Sequence, residues 1–220
     1  MGHGSRSSYF STYEKALRGL AGVRDYHMAC SHAVAVVLTL TCLAAPAWAD
    51  LKAGADAYHR GDYETALRES QPLAEQGNAL AQYQLGLLYD NGQGVRKDDT
   101  QARQWYEKSA EQGYAEAQVN LGILYDYGRG VQQDFKKAVY WYRLSAKQGN
   151  HLAQRRLGLM YERGDGVQRD YIQAYMWYIL GAANGSERGI ALRDTLAKRM
   201  TPEQIDEAQK LAQEWRPKSK

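Results

Sequence analysis

The sequence contains little cysteine. Among its 220 residues only Cys30 and Cys42 carry a thiol, and both lie within the first fifty residues. Residues 50–220 can therefore form neither a disulfide framework nor a metal site made of cysteine thiolates. Any stability in that part of the chain must come from packing.

An excess of charge of one sign is also lacking. Lys and Arg number 28 against 25 Asp and Glu, which gives a formal net charge of +3. A protein that binds nucleic acid electrostatically needs a concentrated basic stripe. The charges here are interspersed, as is typical of solvated helix exteriors. The sequence therefore predicts no nucleic-acid partner.

Residue patterns that carry catalysis are missing from residues 50–220. The two histidines, His59 and His151, lie far apart and have no companions at metal-ligand spacing. The motifs H-E-x-x-H and G-x-S-x-G do not occur. Glu162 and Asp165 are close in sequence, but a helix end and an exposed turn do not set two carboxylates across a cleft. We predict no catalytic residue, cofactor or metal, and hence no enzyme.

An apolar run near the start of the chain resembles a signal peptide. The run, Ala33 to Leu43, is too short to span a membrane, and it is followed by the small-x-small pattern of Ala47 and Ala49. This predicts cleavage after Ala49, a periplasmic or secreted location, and no membrane insertion once the leader (1–49) is removed. Because residues 1–27 are long and polar, we favour Met28 over Met1 as the true start, although an n-region beginning there lacks Lys and Arg.

A 36-residue unit then occurs three times without a gap. The copies are residues 79–114, 115–150 and 151–186. The positions they share include Leu85-Gly86, Leu121-Gly122 and Leu157-Gly158, the turns Gly92-x-Gly94-Val95, Gly128-x-Gly130-Val131 and Gly164-x-Gly166-Val167, and the pairs Trp105-Tyr106, Trp141-Tyr142 and Trp177-Tyr178. A period of this size indicates stacked supersecondary units.

Each copy is predicted to form two helices. In the first copy, Ala81, Leu85, Leu88 and Tyr89 make one apolar stripe over 79–91. Gly86 costs helix stability, so its recurrence predicts close approach of the paired helix. The second helix runs from about 99 to 112.

Start and stop signals frame the second helix of each copy. Asp98, Asp134 and Asp170 stand where N-caps are wanted, and Gly113, Gly149 and Gly185 stand where the chain leaves through a left-handed residue. We interpret Gly-x-Gly-Val as a turn between helices with a buried valine, because no strand precedes it as a phosphate-binding loop would require.

Different units flank the three copies. Residues 50–78 look like a shortened first unit with a tighter turn. Residues 187–220 are predicted to be C-terminal capping helices and a tail. In that segment Thr201 caps a helix, Pro202 takes its first position and Gln204 reaches back. Such terminal units cover an apolar face that would otherwise be bare.

The repeated pattern resembles the Sel-one-like repeat, a branch of the tetratricopeptide superfamily. The resemblance covers about residues 50–186, and the first unit is closer to the plain tetratricopeptide form. It implies an all-α fold, a right-handed α-solenoid of tetratricopeptide-like helix pairs. It also implies that the protein is an adaptor or scaffold for protein complexes. Members of this family are often exported in bacteria. A cysteine-rich exported branch is a poor match, because residues 50–220 lack cysteine.

The resemblance further implies that the first helix of each pair lines a concave face. A second stripe on these helices varies between copies, whereas the Leu-Gly-Tyr stripe does not. The candidate partner-binding residues are Tyr58, Tyr83, Leu87, Asp90, Val119, Ile123, Asp126, Tyr127, Arg155, Leu159 and Arg163. Aromatic anchors with a charged rim suit an interface. The alternative is that Tyr83, Val119 and Ile123 pack against adjacent helices.

These patterns together predict an exported scaffold or adaptor that binds another protein or peptide through the concave face of its repeat array. The alternative is a binder of cell-envelope glycan or peptide ligands, or an accessory subunit of an envelope enzyme. The sequence leaves the oligomeric state open.

Overall fold

A computed structural model describes residues 52–215, which belong to the second of two units into which the chain divides, Met1–Ala49 and Asp50–Lys220. The described residues form ten helices and no strand. The all-α prediction is therefore confirmed. The predicted cleavage after Ala49 and the choice between Met1 and Met28 lie outside the described residues.

The helices follow one another with short turns. They are α1 (52–60), α2 (Tyr63–Glu75), α3 (Ala79–Asn91), α4 (Asp99–Glu111), α5 (Ala115–Tyr127), α6 (Phe135–Ala146), α7 (His151–Arg163), α8 (Tyr171–Ala183), α9 (Glu187–Ala197) and α10 (Pro202–Glu214). The helices α3 and α4, α5 and α6, and α7 and α8 are the pairs of the three copies. The predicted bounds of α3 are confirmed. The observed second helix of that copy, α4, ends one residue earlier than predicted, at Glu111 instead of residue 112.

From α2 to α9 each helix packs on the next along the chain, and α8 is covered by both α9 and α10. The rings of Trp177 on α8 and Trp215 after α10 meet edge to face, with centroids 4.9 Å apart. Thr201 and Gln204 form the predicted capping box at the start of α10. The last two helices thus both pack on the second helix of the third copy.

In each copy, a tyrosine ring of the second helix packs directly against a glycine of the first helix. These contacts join Gly86 to Tyr106, Gly122 to Tyr142 and Gly158 to Tyr178. All three tyrosines are fully buried. A Cβ at Gly122 would lie 2.7 Å from the Tyr142 ring carbons Cδ1 and Cε1, closer than carbon atoms tolerate. The predicted close approach is confirmed.

The predicted start and stop signals of the second helices are also confirmed. The side chain of Asp134 accepts a hydrogen bond from the backbone N–H of Lys137, and Asp98 and Asp170 cap their helices in the same way. Gly113, Gly149 and Gly185 have φ between 86° and 96°.

The turn valines were predicted wrongly. Val95, Val131 and Val167 are only half-buried. Val131 and Val167 pack against the core cluster with one side and remain exposed on the other. The turn backbone itself makes the closest approach to the preceding copy, because Gly166, with φ of 70°, lies directly on the backbone of Phe135 at the start of α6.

Side-chain amides join neighbouring copies through a repeated set of hydrogen bonds, which we call the amide ladder. Gln118 donates its Nε2 to the carbonyl oxygen of Ala110 in the preceding copy at 3.1 Å. Its Oε1 accepts from Nε2 of Gln148 at 2.9 Å, and that Nε2 also donates to the carbonyl oxygen of Gly113 at 3.0 Å. Gln82, Gln112, Gln154 and Asn184 make the equivalent bonds in the other copies. These bonds fix the register between copies.

Candidate partner-binding surface

The eleven predicted residues, here called the first-helix stripe, lie on α1, α3, α5 and α7. Leu87, Ile123 and Leu159 are half-buried and pack against the core while keeping part of their surface exposed. Tyr127 is 59% exposed, the largest value among the large apolar side chains of residues 52–215. The stripe thus presents apolar surface on three successive first helices.

Val119 does not belong to the accessible part of the stripe. Its side chain is 2% exposed and lies in the core cluster. The same register position carries Tyr83 in the copy before and Arg155 in the copy after, and both of those are half-buried. A short branched side chain fits between the helices, whereas the longer ones extend outward. Val119 is therefore a packing residue, as the alternative allowed.

Two tyrosines form the N-terminal end of the stripe. The ring of Tyr83 lies 5.1 Å from that of Tyr114 and 6.0 Å from that of Tyr106, measured between centroids. Burial raises the pKa of Tyr83 to about 12. Tyr58 packs edge to face on Tyr63 at 5.6 Å. These contacts make this end a rigid aromatic surface.

The carboxylates of the stripe bind the buried tyrosines of their own copies. The hydroxyl of Tyr142 donates to Asp126 at 3.0 Å, and that of Tyr106 donates to Asp90 at 3.2 Å. Asp90 also pairs with Arg129 of the next copy. The sequence analysis did not foresee this structural role, which holds the tyrosine ring against its glycine.

Five stripe residues line one cavity of about 200 Å³ at the C-terminal end of the stripe. We call it the arginine cavity. Its lining consists of Asp126, Tyr127, Arg155, Arg156, Leu159, Met160, Arg163 and Arg188. Residues predicted from two different copies are thus brought together, with α9 closing one side.

Positive charge exceeds negative charge in the arginine cavity. Arg156 donates to the hydroxyl of Tyr127 at 2.9 Å and lies 3.6 Å from the carboxylate of Asp126. Within residues 52–215, Arg155, Arg163 and Arg188 make no ion pair. Burial, together with the nearby charges of Arg156 and Arg188, lowers the pKa of Arg155. The cavity is therefore suited to an anionic group.

Sequence reasoning missed Arg156, Met160 and Arg188. Arg156 had a signal, because the equivalent positions hold Gln84 and Asn120, so this position varies as the stripe does. Arg188 lies beyond the third copy, where no repeat comparison exists. Only the packing of α9 on α8 places it beside α7.

Two further cavities, of about 470 and 260 Å³, lie around Arg169 and Asp170, at the end of the turn between α7 and α8. Within residues 52–215 no group of three or more His, Cys, Asp or Glu side chains could hold a metal ion. In the same stretch no helix is both long and apolar enough to cross a bilayer.

Comparison with known proteins identifies the repeated unit. The family model described as the Sel1 repeat matches residues 79–114, 115–150 and 151–186. No curated protein matches the chain.

Solved structures match at substantial identity. A Sel1 repeat protein from Oxalobacter formigenes is 38% identical over 66% of this chain and 57% of its own, with a TM-score of 0.63. A protective antigen present in uropathogenic Escherichia coli strains, which displays an SLR fold, is 40% identical over 69% of this chain and 33% of its own, also with a TM-score of 0.63. The chain thus spans less than two thirds of either relative. The resemblance and the solenoid fold class are confirmed.

Proposed function

We propose that this chain, which contains three consecutive Sel1 repeats, is a scaffold that binds a peptide segment of another protein along the first-helix stripe. Sel1 repeat proteins generally mediate protein–protein interactions and are typically non-catalytic. The observation that carries the proposal is the convergence of five stripe residues on the arginine cavity. The positions that vary between copies thus meet at one accessible place.

The composition of this surface supports a protein partner. Tyr, Met and Arg are enriched at protein interfaces, and buried aromatic or arginine anchors carry most of the binding energy. Tyr127 and the four arginines supply these types beside the half-buried Leu159, and the buried Met160 lies beneath them. A volume of about 200 Å³ is below the roughly 300–1,000 Å³ of sites that enclose a small molecule. It is suited to one side chain of a larger partner.

Site-specific photocrosslinking tests the proposal. Tyr127 in the full-length chain is replaced by a photoreactive phenylalanine analogue, and captured molecules are identified from cells that make the protein. Tyr140 is the matched control, because it is 55% exposed but lies on a second helix, α6. We expect capture of one protein at position 127 and none at 140. The substitution Leu159→Ala, which removes an apolar anchor, should weaken that capture.

Equal capture at positions 127 and 140, or capture at 140 alone, would place the interface elsewhere and overturn the proposal. Capture at 127 of glycan without protein would support the alternative, a binder of cell-envelope ligands. Circular dichroism of the Leu159→Ala variant separates a lost contact from a lost fold.

The scaffold is further proposed to act after export, in the periplasm or outside the cell. The apolar run and the small-x-small pattern before Asp50 support this proposal. N-terminal sequencing of the protein from a periplasmic or culture-fluid fraction should begin at Asp50. An intact leader on all of the protein would contradict export.

A further inference from the structure

The arginines of the cavity are arranged on one helix face and one neighbouring helix. Arg155, Leu159 and Arg163 are spaced by four residues on α7, so they lie on the same face of that helix. Arg188 reaches the same cavity from α9. Apolar and cationic groups therefore alternate along a single path that begins at Tyr127.

Negative charge within the cavity lining offsets only part of this positive charge. The cavity has one carboxylate, Asp126, which already accepts from Tyr142 and pairs with Arg156. Arg188 occupies the first turn of α9, where the helix dipole disfavours a cation. Four guanidinium groups around one small cavity repel one another in the free protein, and an arriving anion would relieve that repulsion. Charge complementarity thus specifies the missing partner group.

We propose that the arginine cavity binds an Asp or Glu side chain of the partner, so that the scaffold selects acidic peptide segments. This inference rests on the proposed function and names its specificity. Guanidinium groups form paired hydrogen bonds with carboxylates, which gives them geometric selectivity. The apolar side chains beside the acidic residue would contact Tyr127 and Leu159. A nucleic acid fits less well, because it needs a long basic stripe and the chain carries only +3 overall.

Selection from a displayed library of random peptides tests the specificity. The full-length chain is compared with the double variant Arg163→Glu with Arg188→Glu. Both side chains are exposed and make no ion pair within residues 52–215, so the fold should persist. The matched control is Arg96→Glu with Lys136→Glu, which makes the same change in net charge at exposed positions away from the cavity.

The wild type and the control should enrich peptides that carry Asp or Glu next to apolar residues. The cavity variant should bind those peptides at least about tenfold more weakly, because each lost charged hydrogen bond is worth that much. Equal loss in the control variant would show a general charge effect and overturn the inference.

The other outcomes separate the two proposals. Enriched peptides without acidic bias, whose binding still depends on Leu159, would overturn the specificity and leave the scaffold proposal standing. No enriched peptide, or enrichment indifferent to Leu159, would overturn the scaffold proposal itself. Binding of a single-stranded RNA homopolymer that is lost in the cavity variant, without any acidic peptide, would assign the cavity to phosphate instead.

Discussion

Replacing Gly122 by alanine adds one methyl group at the contact between the two helices of the second copy. The new Cβ would lie 2.7 Å from two ring carbons of Tyr142, whereas carbons pack comfortably at about 3.5–4.0 Å. Tyr142 cannot retreat freely, because its ring is fully buried and its hydroxyl is bonded to Asp126 at 3.0 Å. The ring must shift by about 1 Å, and that bond must stretch or break.

The opposing contributions can be compared. Alanine is better than glycine inside a helix by about 1 kcal/mol. Overpacking a core costs about 1–3 kcal/mol, and a hydrogen bond to a charged group is worth about 1.5–3 kcal/mol. We therefore expect Gly122→Ala to lower the free energy of unfolding by about 1.5–5 kcal/mol. This is opposite in sign to the effect of the same change in an isolated helix.

Urea denaturation followed by helical circular dichroism measures the change. The matched control is Gly181→Ala on α8, where an added Cβ would have no neighbour closer than 3.4 Å. The control should be neutral or stabilising by up to about 1 kcal/mol. In a background of Tyr142→Leu the clash is absent, so adding Gly122→Ala there should cost much less than it does alone. A Gly122→Ala midpoint equal to that of wild type or of the control would refute the reasoning.

Three further outcomes are expected. Ser145→Ala removes the hydrogen bond that the fully buried Oγ donates to the carbonyl oxygen of Ala115 at 2.8 Å. Urea denaturation should show that the free energy of unfolding falls by about 1 kcal/mol. An unchanged denaturation midpoint would contradict this, because it would mean that water replaces the bond. Burial raises the pKa of Tyr83 to about 12 and raises those of the three fully buried tyrosines of the copies. Their contribution to the free energy of unfolding is full below the unfolded pKa of about 10 and is lost as pH rises through the folded pKa values. In an alkaline titration, the tyrosinate absorbance of these four residues should therefore rise together with the loss of helical signal. Ionisation of all tyrosines near pH 10 with the helices intact would contradict this. Thr201→Ala breaks the capping box with Gln204. Thermal unfolding should show that the free energy of unfolding falls by about 1 kcal/mol, which is usual for a lost N-cap. A larger fall for Gln204→Ala alone would contradict this assignment of the cap to Thr201.

The helices were predictable because their signals are local. The apolar stripe of residues 79–91, the cap at Asp98 and the left-handed Gly113 each act within a turn or two of helix, and each recurs every 36 residues. The role of Gly86 followed from its cost, because a residue that weakens a helix at the same place in every copy must gain contacts elsewhere.

The remaining features depend on distance through space. Gln118 looks like a surface glutamine in the sequence, and its partners Gln148 and Ala110 are 30 and 8 residues away. Val119 was assigned to the accessible stripe because its register matches that of Tyr83, but side-chain length decided its burial. Arg188 entered the cavity only through the docking of α9. Gln82, Gln118 and Gln154 do recur every 36 residues, but the period alone does not reveal their hydrogen-bond partners, and neither the burial of Val119 nor the placement of Arg188 leaves a periodic signal.

The amide ladder also bears on how such a chain can change in length. Each junction repeats one hydrogen bond, in which the side-chain amide of a glutamine donates to an alanine carbonyl oxygen in the unit before: Gln82 to Ala74, Gln118 to Ala110 and Gln154 to Ala146. A duplicated segment of 36 residues would therefore meet compatible neighbours on both flanks, and the array could grow without redesign of its interior. A segment of another length inserted within a helix would turn the amides of that junction away from their partners, whereas an insertion in a turn would leave them in place.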